Sequence, residues 1–509
     1  MKSSIILDRA FRKAVVDDRL FGSFIEHLGR AVYGGIYEPG HPRSDADGFR
    51  TDVLRLVEDL QVPVVRYPGG NFVSAFRWED SVGPASERPR RLDLAWRSTE
   101  PNAFGLHEFM AWTKAAKTEA MMALNLGTRG IDAARNLVEY CNHPDGSYWS
   151  DLRRANGAAD PFGVKLWCLG NEMDGPWQVG HKTADEYGRT ASEVGKALKL
   201  YDPKLELVAC GSSNDRMPTF AAWESTVLDH CYETVDYLSL HCYYNNRNND
   251  LPTFLASPVG MDSYIASVVA TCDYAKAKKR SKRRIDLSFD EWNVWFHSND
   301  QDARQEPWVV GPPLLEDVYT FEDALVVGGL LNSLLRNADR VKIACMAQLV
   351  NVIAPIMTRN GGGAWRQTIY WPFYYASRYG RGTVLDLRIE VPAYENETYG
   401  LVPYADAAAV WHEESGEIDM FVVNRSATEA LEIEARLGGF VGAGAAYALA
   451  EHVELRHDDV KAVNTEEKPD EVSPRTLPAD PRAVDGERFR SSAAPLSWNL
   501  YRLTPRQKT

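Results

Sequence analysis

"WCLGNEMDGPW", Trp167 to Trp177, is an apolar run that stops at an amide and an acid, Asn171 and Glu172, and passes into a loop of Gly, Asp and Trp. Such a run reads as a short buried strand whose last side chains stand above the core, where loops carry chemistry. Taken alone, a glutamate in that position is as readily a partner for an arginine or a cap for the next helix. Its meaning depends on what the rest of the chain places beside it.

Seven more runs share this form. They are "LFGSFIEHL" (Leu20 to Leu28), "VPVVRYPGG" (Val62 to Gly70), "MMALNLG" (Met121 to Gly127), "LELVACGSS" (Leu205 to Ser213), "DYLSLHCYY" (Asp236 to Tyr244), "RIDLSFDEW" (Arg284 to Trp292) and "VKIACMAQL" (Val341 to Leu349). Between them lie helical patterns with apolar residues three and four apart, among them "DVLRLVEDL", "ADEYGRTASEVGKALKLY" and "EDALVVGGLLNSLLRN". Eight strands alternating with helices predict an α/β fold, a (β/α)8 TIM barrel over residues 17–378. An open doubly wound sheet for a nucleotide would need a glycine fingerprint after its first strand, which "FGSFIEHLGRAVYGG" lacks.

Past residue 380 the period changes to strict alternation, in "AAAVWHEE", "EIDMFVVNRS", "LEIEARL", "AAYALAEHVEL" and "SWNLYRLTP". This predicts a C-terminal antiparallel, jelly-roll-like β-sandwich over 379–509, joined by residues 1–16, where "SIILDRAFRKAVV" partly alternates. The Pro- and charge-rich stretch Lys461 to Arg490 is expected as a long loop.

With 509 residues, 44% hydrophobic and 25% charged, the chain has the make-up of a soluble globular protein of more than one domain. A net charge of -14 argues against nucleic acid as a partner, since that surface needs a cationic stripe. The one dense basic run, "AKAKKRSKRR" (Ala275 to Arg284), suits the C-terminal end of a helix. Seven scattered cysteines without a CxxC pair read as buried thiols in a reducing compartment. "MKSSIILDRAFRK" has no sustained apolar stretch, and no window nears ~18 apolar residues, so no membrane partner and a cytoplasmic location are expected.

Aligning the eight runs by their ends gathers polar side chains at one end: Glu26 and His27, Arg66 and Asn71, Asn125, Asn171 and Glu172, Ser212, His241 and Tyr243, Asp290 and Glu291, Gln348. That end of a barrel is where active sites are built. Glu172 closes the fourth strand and Glu291 the seventh. Two carboxyl groups with different proton affinities are the equipment of glycoside hydrolysis. Trp78, Trp96, Trp167, Trp177, Trp292, Trp295 and Trp308 fall near the same strand ends, and flat aromatic rings suit the apolar faces of sugars. His27, His181 and His241 lack metal-site spacing, and "GTRG" and "RNGGGAW" lack the Lys and Ser/Thr of a phosphate loop. Neither a metal nor a cofactor is expected.

The ordered motifs "FGSFIEHLGRAVYGGIYEP", "VRYPGGNFVSAFRWEDSVGP", "TEPNAFGLHEFM", "CLGNEMDGPWQ", "SLHCYY", "DEWNVW" and "AQLVNVIAPI" resemble the α-L-arabinofuranosidases of glycoside hydrolase family 51. The resemblance implies an exo-acting, retaining glycosidase on arabinofuranosyl-containing oligosaccharides, with Glu172 as general acid/base and Glu291 as nucleophile. It further implies that Glu26, Arg66, Asn71, Asn171, His241, Tyr243 and Gln348 surround the arabinose, with Trp96 and Trp177 among the loop contacts. A homo-oligomer, a hexamer by the family's habit, is implied as well. Phe76 and Arg77 depart from the pattern, in a loop that bears on the leaving group. A retaining endo-β-glucanase or β-xylosidase on the same barrel, or a carbohydrate-binding protein with a degenerate site, are the alternatives.

Overall fold

Each of the eight apolar runs forms one strand of a closed barrel in the computed structural model, which describes residues 1–441 and 446–506. The strands are β1 (Gly22–Phe24), β2 (Val64–Tyr67), β3 (Glu119–Ala123), β4 (Leu166–Leu169), β5 (Glu206–Ala209), β6 (Tyr237–Tyr244), β7 (Asp286–Val294) and β8 (Val341–Ala347). All neighbours pair in parallel, and β8 closes on β1 with Cys345 opposite Gly22. Alternation along each strand divides the core in two. On β4, Leu166 and Cys168 point to the barrel axis with Phe24, Val64, Met121, Val208 and Ile343. Trp167 and Leu169 point outward into the larger layer beneath the helices. Burying each such side chain contributes about 1.5–3 kcal/mol.

The loop after β4 is closed by a capping box: Thr183 accepts the Glu186 amide at 3.3 Å while the Glu186 carboxylate accepts the Thr183 amide at 2.9 Å, starting the helix Ala184–Tyr201. The basic run ends the helix Ser257–Lys279, where Lys278 Nζ meets Asp229 Oδ2 at 2.6 Å and Arg283 Nη2 donates to the Val235 carbonyl at 2.8 Å.

The alternating segments build two facing sheets. A seven-stranded sheet runs Arg12–Val15, Thr383–Leu385, Ala405–Trp411, Ile418–Asn424, Ser497–Pro505, Tyr447–Leu455 and Arg475–Leu477. A five-stranded sheet runs Arg388–Glu390, Lys2–Asp8, Leu431–Gly438, Arg488–Ala493 and Val484–Asp485. Of the expected strand "AAYALAEHVEL", Ala445 lies outside the described residues. Two expectations need correction. The pair Lys2–Asp8 and Leu431–Gly438 is parallel, within sheets otherwise antiparallel. The stretch Lys461 to Arg490 is also more than a loop: it holds two short strands and the start of a third, and it clasps the barrel through Lys461 Nζ on Glu322 at 2.7 Å and Trp371 Nε1 on the Val472 carbonyl.

The strand Ala405–Trp411 is buried on both faces. Ala407, Ala409 and Trp411 face the five-stranded sheet, while Ala408 and Val410 pack on the barrel's helical layer. The helix Phe321–Arg336 lies at that joint, and Gly328 makes room for it: a Cβ there would stand 2.3 Å from the Trp498 ring. All seven cysteines are buried free thiols, and no helix among the described residues is long and apolar enough to cross a membrane.

Candidate active site

The C-terminal ends of the barrel strands open into a cavity of about 560 Å3 whose wall includes Glu26, Gly70, Asn71, Trp96, Glu172, Trp177, Tyr243, Glu291, Trp295 and Gln348. Glu172 reaches it because the chain turns sharply after β4. Gly170 sits at φ +95° and Glu172 itself at φ +44°, a left-handed conformation that costs a non-glycine residue about 1–2 kcal/mol. The turn is held by the Gly175 amide donating to the Glu172 carbonyl at 2.8 Å.

Glu291 arrives with its neighbour Asp290. In a regular strand two consecutive side chains face opposite ways. Here the pairing of β6 with β7 slips between Ser239 and His241, and that of β7 with β8 slips between Phe289 and Trp292. Both carboxylates thereby join one buried network, as bulges beside active sites allow. Arg66, buried on β2 with its guanidinium 4.8 Å from the Phe24 ring, donates from Nη1 to Glu291 Oε1 at 2.6 Å and from Nη2 to Asn171 Oδ1 at 2.7 Å. Its Nε lies 3.6 Å from Asp290 Oδ2. Tyr243 OH donates to Glu291 Oε2 at 2.9 Å. His241 bridges the two halves, with Nδ1 3.0 Å from Glu172 Oε1 and Nε2 3.0 Å from Asp290 Oδ1. One atom each of Glu172, His241 and Glu291 lie within 4.8 Å of one another.

The opposite wall is organised by Glu26. It accepts the Phe72 amide at 2.8 Å and the Trp96 indole N–H at 2.9 Å on Oε1, and Gln348 Oε1 in turn accepts the Glu26 amide at 2.9 Å. The glycines of "YPGGN" let this wall come close: a Cβ on Gly70 would lie 2.8 Å from Glu291 Oε1, and one on Gly69 2.7 Å from Glu26 Cγ.

Four carboxyl groups, Glu26, Glu172, Asp290 and Glu291, share this space with two cations, Arg66 and His241. Burial raises Asp290, but Arg66 and His241 outweigh it and hold the group below the usual carboxylate range. Burial lowers His241, yet the charge of Glu291 and the bonds from Asp290 and Glu172 carry it up to about 10. Burial and the Glu291 charge raise Glu172, and burial pushes Glu26 up to about 8 against the Phe72 amide.

Of the residues singled out from the sequence, Glu26, Asn71, Trp96, Glu172, Trp177, Tyr243, Glu291 and Gln348 line the cavity. Arg66, Asn171 and His241 stand one layer behind, bonded to those that do. His27 is turned away, between Glu100 and Tyr67, and Asn125 ties a loop by accepting the Gly127 and Thr128 amides. The aromatic mouth is smaller than expected. Trp78, Trp167 and Trp292 are core residues, and Trp308 stands on an outer loop. Trp96, Trp177 and Trp295 remain, and the Trp295 indole N–H has no partner among the described residues. Asn214, Arg216, Asn245, Arg247 and Leu315 also form wall and lie on loops without a pattern of their own; Ser213 and Ile353, within quoted stretches, line it as well.

Residues 56–254 match the model of the α-L-arabinofuranosidase 1 domain, and residues 290–497 that of the α-L-arabinofuranosidase C-terminal domain. The chain is 59% identical over 503 residues to the intracellular exo-α-(1→5)-L-arabinofuranosidase of Halalkalibacterium halodurans, covering 99% of each. It is 58% identical to intracellular exo-α-(1→5)-L-arabinofuranosidase 1 of Bacillus subtilis, again over 99% of each. Among solved structures, a family 51 α-L-arabinofuranosidase from Bifidobacterium longum superposes with a TM-score of 0.93 at 45% identity, covering 98% of this chain and 99% of that one. Identity of this order along the whole length, over the fold and cavity described above, places the chain in a family: it belongs to the α-L-arabinofuranosidases of glycoside hydrolase family 51.

Proposed function

We propose that the protein is a retaining exo-α-L-arabinofuranosidase in which Glu291 is the nucleophile and Glu172 the acid/base. The observation that carries this reading is the spacing of the two carboxyl groups, which bring an oxygen each within 4.8 Å at one cavity floor. Retention needs about 5–5.5 Å between the groups, and inversion needs roughly 6.5–9.5 Å to admit a water.

In the first step Glu291 Oε bonds to the anomeric carbon of a terminal arabinofuranosyl unit as the bond to the departing oxygen breaks, and protonated Glu172 gives that oxygen its proton. Arg66 and Tyr243 aim Glu291 and stabilise its charge. Once Glu291 is an ester its charge is gone. The field that raised Glu172 weakens, and Glu172 is left as a base. Water then bonds to the anomeric carbon, its proton passes to Glu172, and the ester bond to Glu291 breaks. Glu26, Asn71 and Gln348 offer donors and acceptors to the sugar hydroxyls, and Trp96, Trp177 and Trp295 border the space for the leaving unit.

The names of the relatives support terminal α-(1→5)-linked L-arabinofuranosyl units as the substrate and a location inside the cell. We read residues 17–378 as the catalytic barrel and 1–16 with 379–509 as the sandwich. A homo-oligomer, hexameric by family habit, completes the reading.

The test is a panel of aryl glycosides, α-L-arabinofuranoside against β-D-xyloside and β-glucoside, with the first-formed product anomer followed by NMR. Preference for the arabinofuranoside with retained configuration is expected. Glu172→Ala should lose about 10²–10⁴-fold on poor leaving groups and far less on activated aryl groups. Equal losses on both would refute the role given to Glu172.

A further inference from the structure

Trp177 is 48% exposed at the cavity rim, yet its only polar atom is engaged inward: Nε1–H donates to Glu172 Oε2 at 2.7 Å. The other oxygen of Glu172 faces His241 at 3.0 Å. Oε2 is therefore the oxygen that must meet a leaving group, and it is the oxygen to which the indole donates.

The local chain is shaped for this contact. Glu172 adopts its left-handed backbone, the Gly175 amide closes the turn on the Glu172 carbonyl, and the Gln178 amide closes the next on the Gly175 carbonyl at 3.0 Å. The ring folds back over Gly175. A Cβ at that position would lie 2.6 Å from indole Cε2 and 2.9 Å from Nε1, so only glycine lets the ring settle there.

An indole N–H donates and never accepts. It binds a carboxylate oxygen more strongly than the hydroxyl of a carboxylic acid, because charge-assisted bonds are about twice as strong as neutral ones. Its hold on Glu172 is thus greatest in the ionised form. His241 and Glu291 also face Glu172, with Tyr243 beside Glu291, and Arg216 and Arg247 on the wall. Of these neighbours Glu291 changes its charge during turnover, whereas the indole is a constant donor.

We propose that Trp177 is the positioning residue of the acid/base: its indole N–H holds Glu172 Oε2 while the carboxylate is ionised, and yields that oxygen when the proton or the leaving oxygen arrives. This rests on the reading of Glu172 as acid/base. By stabilising the carboxylate the contact favours the first half-reaction, in which Glu172 gives up its proton to the leaving oxygen, and opposes the second, in which Glu172 takes a proton from water as the ester to Glu291 breaks.

Two variants separate the donor from the ring. Trp177→Phe keeps an aromatic face and removes the N–H. Gly175→Ala keeps the N–H and pushes the ring away. Both are measured as kcat/KM against pH on aryl α-L-arabinofuranosides of good and poor leaving ability. The alkaline limb of kcat/KM is expected to move up by about half to one pH unit in both variants. On poor leaving groups kcat/KM at the plateau falls about three- to tenfold, and it falls by less on the activated substrate, whose departure needs no proton.

An alkaline limb in Trp177→Phe that coincides with that of the unaltered protein, or an equal drop in kcat/KM across all leaving groups, overturns the proposal, since lost packing alone predicts the latter. Should Trp177→Phe not fold by circular dichroism, Gly175→Ala decides by the same two criteria. Glu172→Ala run in parallel keeps the two readings apart: if it retains the alkaline limb, the assignment of Glu172 fails whatever Trp177 does.

Discussion

The barrel mouth and the joint between barrel and sandwich are both built on buried ions, and they balance their charge differently. At the joint, Asp406 accepts from Arg336 Nη1 and Asn332 Nδ2, each at 2.9 Å, and from Arg425 Nη2, while Arg336 Nη2 also reaches Asp262 at 2.7 Å. Two arginines meet two carboxylates. Burial raises Asp406, but the arginines outweigh it and hold the group at about 2, so Asp406 stays charged near neutrality. At the mouth four carboxyl groups face two cations, and burial with the surplus negative charge raises the proton affinity of Glu172 and Glu26. Equal charges lock two halves of a molecule together; an excess of one sign leaves protons to be moved.

The largest effect that sharpens this contrast comes from Glu291→Gln. Removing the proposed nucleophile should lower kcat by about 10⁴-fold or more, with the folded state retained because the change relieves surplus negative charge. Loss of the fold, seen by thermal melting, would instead make Glu291 a structural partner of Arg66. Next comes Asp406→Asn. It leaves Arg336 and Arg425 without their buried counter-charge and should cost about 3–5 kcal/mol in urea unfolding, with kcat/KM per folded molecule unchanged. A protein that keeps its stability but loses activity would erase the distinction between the two regions.

The smallest effect is one of pH. Asp406 sits at about 2 in the fold and near 3.9 in the unfolded chain, a difference worth about 2–3 kcal/mol. Because the folded value is depressed, that stabilisation is fully present above pH ~4 and is lost as pH falls through ~2. The gap in unfolding free energy between the unaltered protein and Asp406→Asn should therefore narrow from pH 7 to pH 3. A constant gap would mean that the carboxylate is not what Arg336 and Arg425 hold.

The barrel was legible because each strand is a short apolar run closed by glycine or polar residues, and all eight form where these signals stand. The pair Glu172 and Glu291 was visible for the same reason, as acids at strand ends. The inward turn of Asp290 was not, because alternation sends neighbours to opposite faces and only the slipped register of β7 against β6 and β8 brings both in. Tryptophans were misjudged as a group. Trp167 faces outward simply because it neighbours the inward Cys168, a parity the sequence contains, whereas Trp96 and Trp177 are placed by loop turns that depend on Glu26 and Gly175. The ion cluster at the joint had no sequence signal, since Arg336, Asp406 and Arg425 meet only after both layers have packed.

The strand Lys2–Asp8 has consequences for synthesis. Its partners are Arg388–Glu390 and Leu431–Gly438, so it emerges from the ribosome some 380 residues before the first of them. At about 5–20 residues per second it waits roughly 20–80 seconds with its hydrogen-bonding edges unfilled. Throughout that interval the barrel strands are being made, so this sheet can close only after the last of them has left the ribosome.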